Sequence, residues 1–290
     1  MTEQKKVSIV LPTYNGSRYL KEAVDHCLNQ TYQNLELIIV DDASNSNTPE
    51  IVRSYTDARI KYIRNESNQG LSESLNIGFG AATGKYLTWT SDDNYYLSNA
   101  LEIMAAELEK SREVGFVYAD FFVIGEKGNL LERYSAGKPE QLIWGNCIGP
   151  CFLYRADVYR TVGDYNPGAA LAEDFEYWLR IRKRYIMKKI NRRLYCYRVH
   201  RESLSQKKAR VNIKKTAMKV SRNLVPSAAK YYLEGEQLYL ENDKSAARSS
   251  LLKSLLLYPM HFDTLRFLAL ISLPGYLVDG IRRFKRGIKA

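Results

Sequence analysis

An α/β fold, with a mixed, mainly parallel sheet flanked by helices and a helical appendage behind it, follows from three features of the sequence. In the first half, β-branched or aromatic runs alternate with segments of helical apolar spacing in the order βαβαβαβ. Each helical segment is long enough to cross over between parallel strands. Acidic or polar clusters follow these runs directly, at the strand ends where open α/β sheets place their ligands. The C-terminal part carries helical spacing without further strand pattern.

Taken in order, Val7 to Leu11 reads as the first strand, ended by Pro12, with Thr13-Tyr14-Asn15-Gly16 as a turn. Arg18 to Asn29 has Leu20, Val24 and Leu28 at helical spacing. Leu35 to Val40 is the second strand, left through Asp41-Asp42-Ala43-Ser44, and Thr48 opens a helix with Pro49 at its first position. Ile60 to Arg64 is the third strand and Leu71 to Ala82 the next helix. Lys85 to Trp89 is a buried strand, and Asn99 to Lys110 a helix with Ser98 as its N-cap. Beyond it, Val114 to Ile124 is a strand with Asp120 inside, Glu126 to Asn129 a hairpin turn, and Ala156 to Val162 a short helix ended by Gly163. A helix with acids at its start begins around Leu171, and Leu194 to Val199 is a last strand.

The 290 residues suit one large α/β domain plus an appendage, and the hydrophobic content of 45% and charged content of 26% are those of a globular protein. Cys27, Cys147, Cys151 and Cys196 form no CxxC pair and no zinc spacing, so reduced and mostly buried thiols are expected. MTEQKKVSIVLP offers too short an apolar run for a signal peptide, and no stretch reaches the length of a spanning helix. The net charge of +11 is concentrated between Arg180 and Arg222, where Glu202 is the sole acid. No nucleic-acid module or aromatic interleaving accompanies this run. An anionic lipid surface is the expected partner, with a solvated, solubilising face as the alternative.

Thr88-Trp89-Thr90-Ser91-Asp92-Asp93-Asn94 is the stretch that points to chemistry. It sets two adjacent carboxylates at the end of a strand, where they repel each other unless something positive lies between them. A hard divalent cation shared with a phosphate answers that requirement, and a solvated turn with helix-favouring acids is the plain alternative. No GxGxxG is present, so a glycine-rich turn is not expected to hold phosphate.

Several blocks in this order resemble glycosyltransferase family 2: VSIVLPTYNG, IIVDDAS, NQGLSESLNIGFGAATGKYL, TSDDN, GPCFLYRADVYRTVGDYNP, AEDFEYWLRI and YRVHRESLS. The resemblance spans Val7 to Ser205 and implies the GT-A fold, a Rossmann-like sheet, over residues 1–206, with a separate helical region over 207–290. It implies inverting transfer of a sugar from a nucleotide-diphosphate donor, UDP-linked, to an acceptor hydroxyl, with Mn2+ or Mg2+ as cofactor. Pro12, Thr13 and Tyr14 are then expected to receive the base. Asp42 is expected to accept a hydrogen bond from a pyrimidine N–H, or to be a turn acid at the strand end. Asn68 and Gly70 lie against the nucleotide, or cap the helix that follows. Ser91 stands where the family often has the first acid of Asp-x-Asp, so Asp92 is expected to face ribose or sugar and Asp93 the metal. Asp174 matches the catalytic base, with Glu173 orienting its loop, the alternative being ordinary charge at a helix N-terminus; Tyr177 and Trp178 are expected in the core, with sugar platforms as the alternative. His200 matches a position that completes the metal or diphosphate site, or is a structural surface histidine.

Behind the catalytic region, Val225 to Tyr239 and Lys244 to Leu257 read as a tetratricopeptide-like hairpin, too short to build a solenoid and in need of support from the catalytic domain or a partner. The apolar segments Thr264 to Ala269 and Ile271 to Ile281, followed by Arg282, Arg283, Lys285 and Arg286, suit an interfacial amphipathic segment or a helix buried on the hairpin. The whole reading is a cytoplasmic enzyme, peripheral at the inner face of the cell membrane, acting on a glycan or lipid-linked acceptor of polysaccharide synthesis. A nucleotidyltransferase and a non-catalytic nucleotide-binding scaffold are the alternatives.

Overall fold

The computed structural model describes residues 4–201, 203 and 210–273. The chain forms two compact units, Met1–Gln206 and Lys207–Ala290. The first contains β1 (Val7–Thr13), α1 (Ser17–Leu28), β2 (Leu35–Asp41), α2 (Thr48–Arg53), β3 (Ile60–Arg64), α3 (Leu71–Gly80), β4 (Tyr86–Trp89), β5 (Tyr95–Tyr96) and α4 (Ala100–Glu109). These are followed by β6 (Val114–Ile124), β7 (Leu130–Tyr134), β8 (Phe152–Arg155), α5 (Ala156–Val162), α6 (Glu173–Arg182) and β9 (Ile186–Arg198). One nine-stranded sheet runs β3-β2-β1-β4-β8-β6-β9-β5, with β7 paired to β6.

β1 is buried at every position, as a strand covered on both faces must be, and its run of Val, Ile and Leu supplies that. It pairs in parallel with β2 on one side and β4 on the other, so that Thr13 lies opposite Asp41 and Val10 opposite Trp89. The chain winds outward from β1 through β2 to β3, then returns to the far side of β1 as β4. The crevice outside the carboxyl ends of β1 and β4 is therefore the point where the winding reverses, the usual ligand site of such sheets. Beyond β4 the sheet becomes mixed: β8 is antiparallel to both β4 and β6, while β9 is parallel to β6.

An aromatic core fixes the second half of this unit. Trp178 packs on Phe116 and Phe152 with ring centroids 4.8 and 4.5 Å apart, and Tyr177 stacks on Tyr165 at 3.9 Å. Tyr177 and Trp178 of α6 are fully buried.

Two local expectations are corrected. β9 begins at Ile186 rather than Leu194. Its polar first half reads as loop because Lys188 and Lys189 look solvated, yet they pair with Glu107 at 2.5 Å and Asp120 at 3.0 Å. At α4, Asn99 rather than Ser98 occupies the cap position, with no side-chain cap bond. The basic run from Arg180 is also not one solvated face. Arg180 pairs with Glu176, Arg198 is buried on Glu22, and Lys214 and Lys215 reach Glu236 and Glu241.

The second unit holds α7 (Arg210–Ser221), α8 (Ser227–Leu240), α9 (Lys244–Leu257) and α10 (Phe262–Ser272). α8 and α9 form a hairpin, with Asn242 in the left-handed region (φ 68°) and the Asp243 carboxylate accepting from the Ala246 N–H at 2.9 Å. The helices approach closely at Gly235, where an added Cβ would lie 2.7 Å from Leu251 Cγ. Two flanking helices support this hairpin. α7 bonds to α8 through Lys214 and Glu236, and α10 lays Phe267, Leu268 and Ile271 on a cluster with Ala247 and Leu251. The apolar segment at Thr264 is therefore a packed helix, while most of the second apolar segment and the basic cluster Arg282, Arg283, Lys285 and Arg286 lie outside the described residues. No described helix is long and apolar enough to cross a membrane.

Candidate active site

The β2 end carries two acids with different neighbours. Asp41 is fully buried, accepts from the Ser44 N–H at 2.8 Å and from the Tyr62 hydroxyl at 2.6 Å, and pairs with Arg64. Burial pushes its carboxyl up, but the hydrogen bonds from Ser44 and Tyr62 and the Arg64 charge outweigh it, and the net shift is downward. Asp41 is thus a structural acid that fixes the turn. Asp42 Oδ1 accepts from Asn65 Nδ2 at 2.8 Å and the Gln69 N–H at 2.7 Å, while Oδ2 accepts the Gly70 N–H at 2.8 Å. This holds loop 65–70 against the carboxyl end of β2. Gly70, with φ 85°, takes the cap position of α3; Asn68 does not cap it and is exposed on the loop.

At the β1 end, Tyr14 is half exposed and Pro12 is buried. Thr13 donates from Oγ1 to Asp92 Oδ2 at 2.5 Å, so its side chain serves the acidic loop. Burial pushes the Asp92 carboxyl up to about 7, with the Thr13 bond opposing and the neighbouring Asp93 charge adding to the rise. The carboxylate lies across the start of α1: a Cβ built on Gly16 would stand 1.7 Å from Asp92 Oδ2 and 2.8 Å from Thr13 Oγ1. Gly16 has φ −81° and ψ 15°, which alanine adopts freely, so only this collision forbids a side chain. Gly16→Ala is expected to displace Asp92 and to weaken the expected nucleotide-sugar binding by about tenfold or more, a loss the size of one buried hydrogen bond. Titration calorimetry on a variant with unchanged circular dichroism measures this; wild-type affinity would refute it.

Asp93, just before β5, and His200, just after β9, meet where these two strands pair. His200 Nε2 lies 2.9 Å from Asp93 Oδ2, and both side chains are largely buried. Asp93 Oδ1 is buried with no hydrogen-bond partner. The fit of this pair to a hard divalent cation is therefore real at one atom: a buried carboxylate oxygen without a donor is costly unless it meets a positive ligand. Among the described residues no three His, Cys, Asp or Glu side chains form a cage, and Asp93 with His200 is the pair that could hold a cation.

Arg198, in the same YRVH block, went unassigned in the sequence although it organises this corner. It is 2% exposed. Its backbone N–H donates to Asn94 Oδ1 at 2.6 Å and its Nε to the Asp93 carbonyl at 3.0 Å; Nη2 donates to Glu22 at 2.5 Å and Nη1 to the Glu126 carbonyl at 3.1 Å. The guanidinium also lies 4.5 Å from the Tyr19 ring centroid, and Tyr19 contacts the His200 ring. One buried arginine thereby ties α1, the acidic loop and the β6–β7 turn to the end of β9.

Asp174 sits in the first turn of α6, entered through Leu171 in the left-handed region (φ 72°). Its Oδ1 accepts its neighbour Phe175's N–H and its Oδ2 accepts from Asn146 Nδ2, both at 2.7 Å. Burial pushes its carboxyl above the usual range, and these two bonds oppose the rise. Glu173 is buried beside it and is pushed up to about 7 by burial and the Asp174 charge. The loop leading to α6 is anchored by Asn76, whose amide takes the Tyr165 N–H at 2.8 Å and donates to the Tyr165 carbonyl at 2.9 Å. The Tyr165 hydroxyl in turn receives Trp89 Nε1 at 3.1 Å, from the strand that carries the acidic loop.

The family model for glycosyl transferase family 2 matches residues 8–163, more than half of the chain. The putative glycosyltransferase EpsE of Bacillus subtilis is 35% identical over 188 residues, 62% of this chain and 68% of EpsE. WfgD of Escherichia coli, a UDP-Glc:alpha-D-GlcNAc-diphosphoundecaprenol beta-1,3-glucosyltransferase, is 28% identical over 207 residues, 70% of this chain and 80% of WfgD. An uncharacterized glycosyltransferase of Rickettsia conorii is 35% identical over 191 residues, and the matched region spans 31% of that relative; for the Rickettsia prowazekii relative the share is 58%. Among solved structures, S. aureus TarS in complex with UDP superposes with a TM-score of 0.61 at 19% identity, over 80% of this chain and 70% of that one. The mannosyltransferase PcManGT of Pyrobaculum calidifontis, in complex with GDP-Man and Mn2+, gives 0.62 at 18% identity, over 92% and 79%. These two likenesses show the GT-A fold, and with the family match over 8–163 the chain belongs to glycosyl transferase family 2.

Proposed function

We propose that this chain is an inverting glycosyltransferase that moves a sugar from a UDP-linked donor to an acceptor hydroxyl on a glycan or lipid-linked glycan. The observation that carries the reading is the division of acids in the site. Asp42, Asp92 and Asp93 lie at the carboxyl ends of β2 and β4, with His200 against Asp93, whereas Asp174 stands apart on α6 with its own donors. Displacement at an anomeric carbon needs that division: one group of residues to hold the nucleotide diphosphate, and one carboxylate on the opposite face to take the acceptor proton.

In this reading, loop 65–70 and the β1 end receive the nucleoside. Asp42 Oδ2, which accepts one backbone N–H, has a lone pair left for a pyrimidine N–H. Asp92, turned by Thr13, faces ribose or sugar. Asp93 and His200 would hold Mn2+ or Mg2+, which supplies charge neutralisation for the leaving diphosphate. Asp174 removes the acceptor proton. UDP as the nucleotide is supported by TarS bound to UDP and UDP-GlcNAc and by WfgD, and a divalent metal by PcManGT with Mn2+. A lipid-linked acceptor is supported by WfgD's diphosphoundecaprenol substrate, and with it a peripheral place at the inner membrane face. A nucleotidyltransferase leaves Asp174 without a role.

The test is a thermal-shift series of UDP-glucose, UDP-GlcNAc and GDP-mannose, each with and without Mn2+, followed by release of nucleoside diphosphate. A midpoint rise of several degrees for one UDP-sugar, larger with Mn2+, is the expected result, since a ligand at 100 times its Kd adds about 2.7 kcal/mol. No shift with any nucleotide sugar would overturn the reading.

A further inference from the structure

Asn146 belongs to none of the residues to which the family resemblance gives a role, yet its side chain makes the one side-chain hydrogen bond to the Asp174 carboxylate among the described residues. The orientation of its amide is set by its own loop. Asn146 Oδ1 accepts the Ile148 N–H at 3.3 Å, which leaves Nδ2 to face Asp174 Oδ2 at 2.7 Å. The flipped amide would set two oxygens against each other and leave the Ile148 N–H without its acceptor.

The loop that carries Asn146 is held from behind. The Gly137 N–H donates to the Cys147 carbonyl at 2.7 Å, and the Tyr118 hydroxyl donates to the Gly137 carbonyl, also at 2.7 Å. One residue earlier, the Ala136 N–H donates to Asp120 Oδ1 at 2.9 Å, and the Ser135 hydroxyl reaches Asp120 Oδ2 at 3.3 Å. Asp120 is a buried acid within β6 that pairs with Lys189 of β9. A chain of bonds thus runs from the middle of the sheet, through Asp120, Ala136, Gly137 and Cys147, to Asn146 and Asp174. Asn146 itself is exposed, so this support ends at the protein surface. On either side of the segment, Gly145 (φ 155°) and Gly149 (φ 84°) adopt backbone conformations that other residues avoid.

We propose that Asn146 is a positioning residue for the base: it orients the Asp174 carboxylate toward the acceptor hydroxyl and stabilises its ionised form. The inference rests on the reading of Asp174 as the base. In the step itself the acceptor O–H bond breaks, its proton passes to a free lone pair of Asp174, the acceptor oxygen bonds to the anomeric carbon, and the bond from that carbon to the diphosphate oxygen breaks with its electron pair. Asp174 must enter this step ionised. Burial opposes ionisation, and the N–H donors of Phe175 and Asn146 favour it. Around it lie Glu173 on its own helix and Tyr165 on the loop before that helix, both coupled to its charge. Glu173 and Asp174 are coupled through their charges, so what stabilises one anion affects the other.

The experiment follows the carboxyl 13C resonance of Asp174, assigned by its absence in Asp174→Asn, through a pH titration of the wild type, Asn146→Ala and Asn146→Asp. In parallel, the pH profile of UDP release from UDP-glucose with Mn2+, water serving as acceptor, is measured for each protein. Removing a donor to the ionised form raises the pKa. Both the resonance midpoint and the acid limb of kcat are therefore expected to move to higher pH in Asn146→Ala, by about one unit, with an unchanged KM for UDP-glucose. The same-sized Asn146→Asp is expected to move them further, because it sets a second charge beside Asp174, and this variant keeps the test open should the alanine protein fold poorly. A fall in kcat with neither the midpoint nor the acid limb displaced overturns the inference, since a merely structural loop would give that result, and so does wild-type behaviour in both variants. If Asp174→Asn itself releases UDP at the wild-type rate, the reading of the base fails instead, and that outcome is separate from any shift in the Asn146 variants.

Discussion

Asp174→Asn is expected to bind UDP-glucose as the wild type does and to release UDP more slowly by on the order of 100- to 10,000-fold. The substitution keeps the shape of the side chain and removes its basicity. Its structural cost is small. An amide presents one oxygen where the carboxylate presents two, so either the Phe175 N–H or Asn146 Nδ2 loses its acceptor. Asn146 is exposed and can turn its amine to water, so the loss should fall there. The residues proposed to hold the donor lie on other elements: Asp42 after β2, Asp92 after β4, and loop 65–70. Donor affinity by titration calorimetry should therefore stay near the wild-type value while turnover collapses. A variant that retains wild-type turnover would return Asp174 to the role of an ordinary acid at a helix N-terminus, where negative charge is favourable in any case. Loss of donor affinity together with turnover would mean that Asp174 supports the nucleotide pocket and not the acceptor side.

What sequence reasoning reaches here is the part of the site written in short blocks. The parallel order of β1 to β4 follows from crossover-length helices between apolar runs, Asp92 and Asp93 stand out as adjacent acids at a strand end, and Asp174 is marked by the resemblance of its block to the family. The supports are written elsewhere. Arg198 lies in a quoted block, but its partners Glu22, Asp93 and Glu126 come from three distant parts of the chain. Asn146 meets Asp174 from a loop with no periodicity of its own. The first half of β9 is missed for the same reason: Lys188 and Lys189 read as solvent-facing until Glu107 and Asp120 are brought beside them. Thr13 illustrates a further limit. Its position at the end of β1 is legible, whereas the direction of its hydroxyl, toward Asp92, depends on β4 lying next to β1 in the sheet. Residue type and spacing therefore locate the acids, and the topology decides which polar neighbour each one meets.

The same distinction separates the two acids of the β4 loop. Asp93→Ala is expected to abolish the gain in UDP-glucose affinity that Mn2+ gives, a loss on the order of 100-fold, since coordination by a carboxylate and charge neutralisation at the diphosphate contribute several kcal/mol. Asp92→Ala is expected to weaken binding to a similar degree with and without Mn2+. The geometry supplies the reason. Asp92 Oδ2 is taken by the Thr13 hydroxyl at 2.5 Å, in a surrounding that already favours its neutral form. Asp93 presents a buried Oδ1 with no donor, and its other oxygen meets His200 Nε2 at 2.9 Å. A carboxylate oxygen shielded from water and left without a donor is a poor choice for structure alone and a good one for a cation. His200→Ala should give a milder form of the Asp93 defect, because it removes one neutral ligand and leaves the charged one. Calorimetric titrations of UDP-glucose into the wild type and the three variants, each with Mn2+ and with a chelator, decide the matter. Equal manganese dependence in all four proteins would remove the cation from this pair, and would leave Asp93 and His200 as a hydrogen-bonded couple that closes the end of β9 over the acidic loop.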